Sequence, residues 1–131
     1  MATILVIDDE QMILEYLKTI MTNLGYDVIT ACDGVAGCDA AANQNVNLII
    51  SDLNIPGEIS GINFVKKLRA LRPNCPIVIL TGYPTDTRLQ EAKELHAEFL
   101  TKPFEIPFLG TVLKRLLPLD SESGSTPVAP K

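Results

Sequence analysis

Three acids in a row, Asp8, Asp9 and Glu10, an isolated acid at Asp52, a hydroxyl at Thr81 and an ammonium at Lys102 are the residues of this chain whose types could do chemistry together. Each stands where a short apolar run ends: Thr3 to Ile7, Val46 to Ile50, Cys75 to Leu80 and Glu98 to Thr101. Crowded carboxylates repel one another unless a divalent cation stands between them. Magnesium fits that place, because it takes oxygen ligands in an octahedron, keeps several waters and prefers a few carboxylates plus phosphate oxygens. Lysine is a compact point charge for phosphate oxygens, and a hydroxyl can donate to one of them. Phosphoryl transfer needs mainly positioning and neutralisation of oxygen charge, and a carboxylate can serve as acceptor, which makes Asp52 the candidate nucleophile. A blander use stays open for each residue. Asp9 or Glu10 can cap a helix beginning near Gln11, Asp52 can be an exposed loop acid, Thr81 a strand terminus and Lys102 a surface charge.

The elements that must position this set alternate along the chain. Leu48, Ile49 and Ile50 have the continuous apolar, β-branched character of a strand buried on both faces, as in a parallel sheet covered by helices. Asp52 is then expected at the carboxyl end of that strand, where open α/β sheets bind ligands. Before it come a strand over Thr3 to Ile7, a helix from Gln11 to Leu24 ended by Gly25, a strand from Asp27 to Thr30, and an alanine-rich helix from Asp33 or Gly34 to Asn43. After it come a turn-rich loop and a helix carrying Phe64, Val65, Leu68 and Leu71. A strand from Cys75 to Leu80 follows, then a polar helix capped by Asp86 and running to Leu95, whose narrow apolar stripe predicts loose anchoring. A strand over Glu98 to Thr101 and a last helix with Pro107 in its first turn complete the pattern. Phe108, Leu109, Val112, Leu113, Leu116 and Leu117 are expected to form the buried face of that helix.

Strict alternation with short connections implies an α/β fold with right-handed crossovers. An eight-fold barrel needs far more chain. The expected architecture is a single open five-stranded parallel sheet flanked by five helices in the doubly wound, flavodoxin-like manner, for which order 2-1-3-4-5 is one of the two common arrangements. The carboxyl edge of that sheet would gather the carboxylates, the hydroxyl and the ammonium.

Composition narrows the function classes. The 131 residues are 47% hydrophobic and 21% charged, with a formal net charge of −5 and a sequence pI near 4.7. No Lys or Arg run forms a patch able to neutralise a nucleic-acid backbone. The first apolar run is too short and too acidic at its end for a signal peptide, and no stretch approaches a membrane span. Cys32, Cys38 and Cys75 are odd in number without CxxC spacing, which reads as free thiols in a reduced, cytoplasmic setting.

Four ordered motifs carry a family resemblance: DDE at Asp8 to Glu10, DLNIPG at Asp52 to Gly57, TGY at Thr81 to Tyr83, and FLTKPF at Phe99 to Phe104. Together they resemble the receiver domain of two-component response regulators, over about residues 3 to 117. The resemblance implies that Asp52 accepts a phosphoryl group from a phosphohistidine on a sensor histidine kinase or a histidine phosphotransfer protein. It implies that Asp8, Asp9 or both hold Mg2+ with Asp52 and the backbone carbonyl of Asn54. Thr81 and Lys102 would contact the phosphoryl group, with the Lys102 to Pro103 bond cis. Thr81 and the aromatic at Phe99 would act as the switch, and Asn54 and Tyr83, each two residues beyond a site residue, would tune phosphoryl lifetime. The readout would be the face made by the fourth helix, fifth strand and fifth helix, offered to a downstream output domain or protein or to a phosphorylation-dependent homodimer. Such a domain catalyses only its own phosphorylation and dephosphorylation, and direct nucleic-acid or membrane binding is not expected.

Two positions depart from the family pattern. The loop between Pro56 and Gly61 reads GEIS, one residue longer than usual, with Ile55 in place of the commoner methionine. His96 stands where receivers carry a glycine, at a helix end demanding left-handed backbone, and reads as an exposed helix terminus. The domain is expected to span residues 1 to 118, with 119 to 131, rich in Ser, Pro and Gly, a disordered tail or the start of a linker. Rival readings fare worse. A haloacid-dehalogenase-like phosphatase wants an aspartate where Asn54 stands, a flavin carrier wants a phosphate-cradling loop where three acids stand, and no GxxxxGK[ST] occurs for a nucleoside triphosphatase.

Overall fold

The computed structural model describes residues 2–55, 57 and 61–117. The extra-residue loop and the proposed tail therefore lie outside the described residues. The order is β1 (Thr3–Ile7), α1 (Gln11–Asn23), β2 (Asp27–Ala31), α2 (Gly34–Asn43), β3 (Leu48–Asp52), α3 (Gly61–Leu71), β4 (Ile77–Thr81), α4 (Asp86–Glu94), β5 (Glu98–Thr101) and α5 (Ile106–Leu116). The strands form one sheet in which every neighbour is parallel, as the alternation predicts, and of the two common orders it takes the expected one, β2-β1-β3-β4-β5. Val46 and Cys75, expected to open strands, lie just ahead of β3 and β4.

The sheet divides the core in two, and strand parity decides which residue belongs to which half. Ile4, Val6, Leu48, Ile50, Val78, Leu80 and Leu100 face α1 and α5, where they meet Leu14, Leu17, Leu109 and Leu113. Leu5, Ile7, Ile49, Ile77 and Ile79 face the other way, toward Ala41, Phe64, Val65, Leu68 and Ala92. The central strands β3 and β4 are buried throughout, which is why they read as unbroken apolar runs. On this second face Gly37 of α2 lies so close to β1 that a Cβ there would sit 2.8 Å from Ile7 Cδ1. A larger residue there would force the Ile7 side chain to shift.

Helix ends follow local chemistry. Asp33 caps α2, its carboxylate accepting from the Ala36 N–H. The cap of α4 is Thr85, not Asp86: the Thr85 hydroxyl accepts from the Arg88 N–H, and Asp86 becomes the first helical residue, where its charge suits the helix dipole. Gly25 (φ 103°) closes α1, with the Tyr26 N–H returning to the Met21 carbonyl. The same closure ends α4 around His96, whose φ is 57° and whose neighbour Ala97 donates to the Ala92 carbonyl. A side chain with a Cβ is strained there by about 1–2 kcal/mol. His96→Gly is therefore expected to raise stability by about 1 kcal/mol in urea unfolding, less what glycine's freer unfolded chain takes back.

Helix α5 differs from expectation at one residue. Phe108 is 56% exposed, while Leu109, Val112 and Leu113 carry the buried face. The apolar residues span more than one side of the helix, and only the stripe toward the sheet finds a partner. In α4 only Ala92 is buried and Leu89 is exposed, in line with the loose anchoring expected of it.

Candidate functional site

Register brings the chemistry together. Ile7 pairs with Ser51, so Asp8 and Asp52 come next, side by side. They continue the columns Ile4–Val6 and Leu48–Ile50, whose side chains face α1 and α5. Lys102 likewise continues from Leu100, one step beyond the pairing of Thr81 with Thr101. Lys102 Nζ lies 3.0 Å from Asp52 Oδ2 and 3.1 Å from Asp8 Oδ2. Residues 50 and 94 positions apart in sequence thus share one ammonium. The Lys102–Pro103 bond is cis, as the resemblance implies.

Backbone N–H groups take the remaining carboxylate oxygens. Asp8 Oδ1 accepts from the Glu10 N–H, and Asp52 Oδ1 from the Asn54 N–H at 3.1 Å. The capping alternative for Asp9 and Glu10 is not realised: Glu10 occupies the cap position of α1 without a side-chain hydrogen bond. Asp8 is fully buried and Asp52 is 5% exposed, whereas Asp9 is open to solvent. Carboxylate oxygens of all three lie within 4.8 Å of one another. Three carboxylates against one ammonium leave two negative charges unbalanced when all are ionised.

Burial pushes the Asp8 carboxyl above its ordinary range, against the Glu10 N–H and Lys102, which pull the other way. Pairing alone would lower it. Desolvation prevails because Lys102 divides its charge between two acids, and the nearby Asp52 charge adds to the rise. For Lys102 the balance reverses: burial would lower its pKa, but the hydrogen bonds to Asp52 and Asp8, with their charges, hold it above the usual value.

Thr81 and Phe99 lie on the opposite parity, in line with Ile77 and Ile79, on the face that α4 covers. Thr81 is fully buried, and its hydroxyl accepts from the Tyr83 N–H at 3.1 Å. Phe99 is partly buried against the second core cluster. The Tyr83 side of this loop is open, its residue 72% exposed. One participant carries no sequence signal: Arg88 of α4 donates to the Tyr83 carbonyl at 2.8 Å and to Thr81 Oγ1 at 3.4 Å. An arginine in a polar helix reads as part of a solvated face, and only the fold reveals its partners. A cavity of about 1160 Å3 between α2 and α3 shares no residue with the acid cluster. The small residues of α2 leave that groove, and the converging chemistry lies elsewhere.

A family model described as the response regulator receiver domain matches residues 4–114. The chain belongs to that family. The receiver domain is 32% identical over 119 residues to sporulation initiation phosphotransferase F of Bacillus subtilis, covering 90% of this chain and 95% of that protein. It is 35% identical over 115 residues to the alkaline phosphatase synthesis transcriptional regulatory protein PhoP of the same organism, covering 87% of this chain but 48% of that one. It thus spans about half the length of the second relative. Among solved structures it is similar to chemotaxis protein CheY4 of Vibrio cholerae, with a TM-score of 0.81, 34% identity, and 89% and 99% of the two chains covered. Receiver domains are phosphorylation-dependent signalling switches of two-component systems rather than enzymes working on a free substrate. They bind Mg2+ in an acidic pocket, and the cluster of Asp8, Asp9 and Asp52 fits one: hard oxygen donors, excess negative charge and one ligand open to water. No helix among the described residues is long and apolar enough to cross a membrane.

Proposed function

We propose that Asp52 is the phosphoacceptor of this receiver and takes its phosphoryl group from a phosphohistidine on a sensor kinase or histidine phosphotransfer protein. The observation that carries the reading is the Lys102 ammonium within hydrogen-bond reach of both Asp52 and Asp8. A carboxylate oxygen of Asp52 forms the new O–P bond as the P–N bond breaks, its electron pair returning to the imidazole. Lys102 meets the charge of the incoming phosphoryl oxygens, and the Thr81 hydroxyl donates to one of them. Asp8, Asp9 and Asp52, with the backbone carbonyl of Asn54, would hold Mg2+, which supplies charge neutralisation that a single ammonium cannot. Asn54 keeps the acceptor oriented through its N–H to Asp52 Oδ1.

Thr81 and Phe99 are the proposed switch residues, since both lie on the face covered by α4. The output surface is then α4, β5 and α5, on which Leu89 and Phe108 are exposed for a downstream domain, protein or second copy. A phenylalanine at position 99 has no hydroxyl, so its part in the change is packing alone.

Incubation with Mg2+ and acetyl phosphate, read by intact mass, is expected to add one phosphoryl group to the wild type and none to Asp52→Asn. Equal uptake by both would refute the assignment. Tyr83 and Asn54 are proposed to set phosphoryl lifetime by crowding the path of attacking water. Tyr83→Ala should shorten the decay half-life several-fold in the same assay, and an unchanged half-life would exclude shielding by the ring.

A further inference from the structure

We propose that Arg88 is a positioning residue that orients the Thr81 hydroxyl as a donor and ties helix α4 to it, so that phosphoryl capture is transmitted to α4 through this guanidinium. The proposal rests on the reading of Asp52 as phosphoacceptor and adds a residue to it.

A hydroxyl has one proton to give and two lone pairs to fill. The Tyr83 N–H occupies one of the Thr81 lone pairs at 3.1 Å, and Arg88 Nη1 the other at 3.4 Å. With both acceptor positions taken, the Thr81 proton remains for a third partner, which suits a group meant to donate to a phosphoryl oxygen. The contact at 3.4 Å is long, while the accompanying bond to the Tyr83 carbonyl is short at 2.8 Å. The guanidinium is thus fixed by the carbonyl and free to adjust at the hydroxyl.

The rest of α4 gives this contact its leverage. Ala92 is the sole buried residue of the helix, and from Gly82 to Gln90 only Arg88 is not exposed. At the other end of α4, Arg69 of α3 donates to the Leu95 carbonyl at 3.1 Å and reaches the His96 carbonyl at 3.4 Å, while also binding the Cys75 carbonyl. Two arginines therefore hold the helix, one at each end, where apolar packing is thin. The Arg69 end bears several bonds and acts as the pivot. The Arg88 end bears on Thr81 and is the one that a change at the site would move. An acyl phosphate carries about 1.5 to 2 negative charges where the Asp52 carboxylate carried one, and a guanidinium answers the added charge.

The test is a double-mutant cycle in the full chain with Mg2+ and acetyl phosphate, comparing wild type, Arg88→Ala, Arg88→Lys, Thr81→Val and Arg88→Ala with Thr81→Val. Phosphoryl uptake by mass and amide hydrogen exchange of α4 are read on each. Arg88→Ala is expected to slow uptake about fivefold, the worth of one hydrogen bond. It should add nothing once Thr81 is valine. Arg88→Lys, which keeps the charge but not the fork, should fall between Arg88→Ala and wild type. In wild type the exchange of α4 should change on phosphorylation, and in Arg88→Ala it should not. Uptake by Arg88→Ala at the wild-type rate, or an effect that adds fully to that of Thr81→Val, overturns the proposal while leaving Asp52 as acceptor. Absence of uptake by wild type overturns both.

Discussion

Lys102→Met is expected to slow phosphoryl uptake by about a hundredfold or more, the usual cost of removing one preorganised charge from a developing oxyanion. Methionine keeps the unbranched shape and removes only the ammonium. The same change should destabilise the fold by about 3 kcal/mol in metal-free buffer, because it leaves Asp8 and Asp52 buried with no cation beside them. The pH dependence separates this from a packing defect. Lys102 is held above its ordinary value, so its contribution is complete below the unfolded pKa near 10.5 and is lost only as pH rises past the folded one. Below about pH 9 the charge of Lys102 itself should therefore stay constant. In the variant Asp8 loses the Lys102 contacts that pull its pKa down and takes up a proton more readily, so the deficit should shrink as pH falls. Urea unfolding at pH 7 and pH 5 with a chelator present measures both terms, and a deficit independent of pH would point to packing instead.

Asp8→Asn should act in opposite directions on activity and stability. Asparagine can still accept from the Glu10 N–H, but it removes one charge from a cluster that has too many. Uptake of phosphoryl with Mg2+ is expected to fall about a hundredfold as the cation loses a ligand. Stability without metal should rise by about 1 kcal/mol at pH 7, since the cost of ionising a buried carboxyl disappears. The raised pKa of Asp8 means that the folded state binds more protons than the unfolded one as pH climbs from about 3.8, so wild-type stability declines through that window. The advantage of the variant should accordingly be full at neutral pH and vanish on acidification. Added Mg2+ should stabilise wild type and do far less for Asp8→Asn, a difference that thermal unfolding at graded Mg2+ concentrations will read.

These expectations come from a site that was largely legible in the residues. The run Leu48 to Ile50 ends on Asp52 because a strand buried on both faces has no place for a charge until it leaves the core, and the structure puts Asp52 at that terminus. The positions of Asp8 and Lys102 follow from the same rule on β1 and β5, once parallel register aligns the strand ends. His96 was legible too, as a side chain where a helix end calls for left-handed backbone. Three features were not. Asp86 is the better cap by type, and only the extended backbone at Thr85 places the cap one residue earlier. Phe108 fits an apolar stripe wide enough for two sides of α5, and burial depends on which side meets the sheet. Arg88 has no pattern to announce it, because its partners are a carbonyl and a hydroxyl supplied by another element.

The thin apolar footing of α4 has a thermal consequence. Displacing a helix that buries little more than Ala92 uncovers scarcely any oil-like surface, and it is such surface that gives a conformational equilibrium its heat-capacity change. The proposed displacement of α4 should then have an enthalpy that scarcely changes with temperature, so its balance should follow a straight van't Hoff line whose slope is set by polar contacts such as those of Arg88 and Arg69.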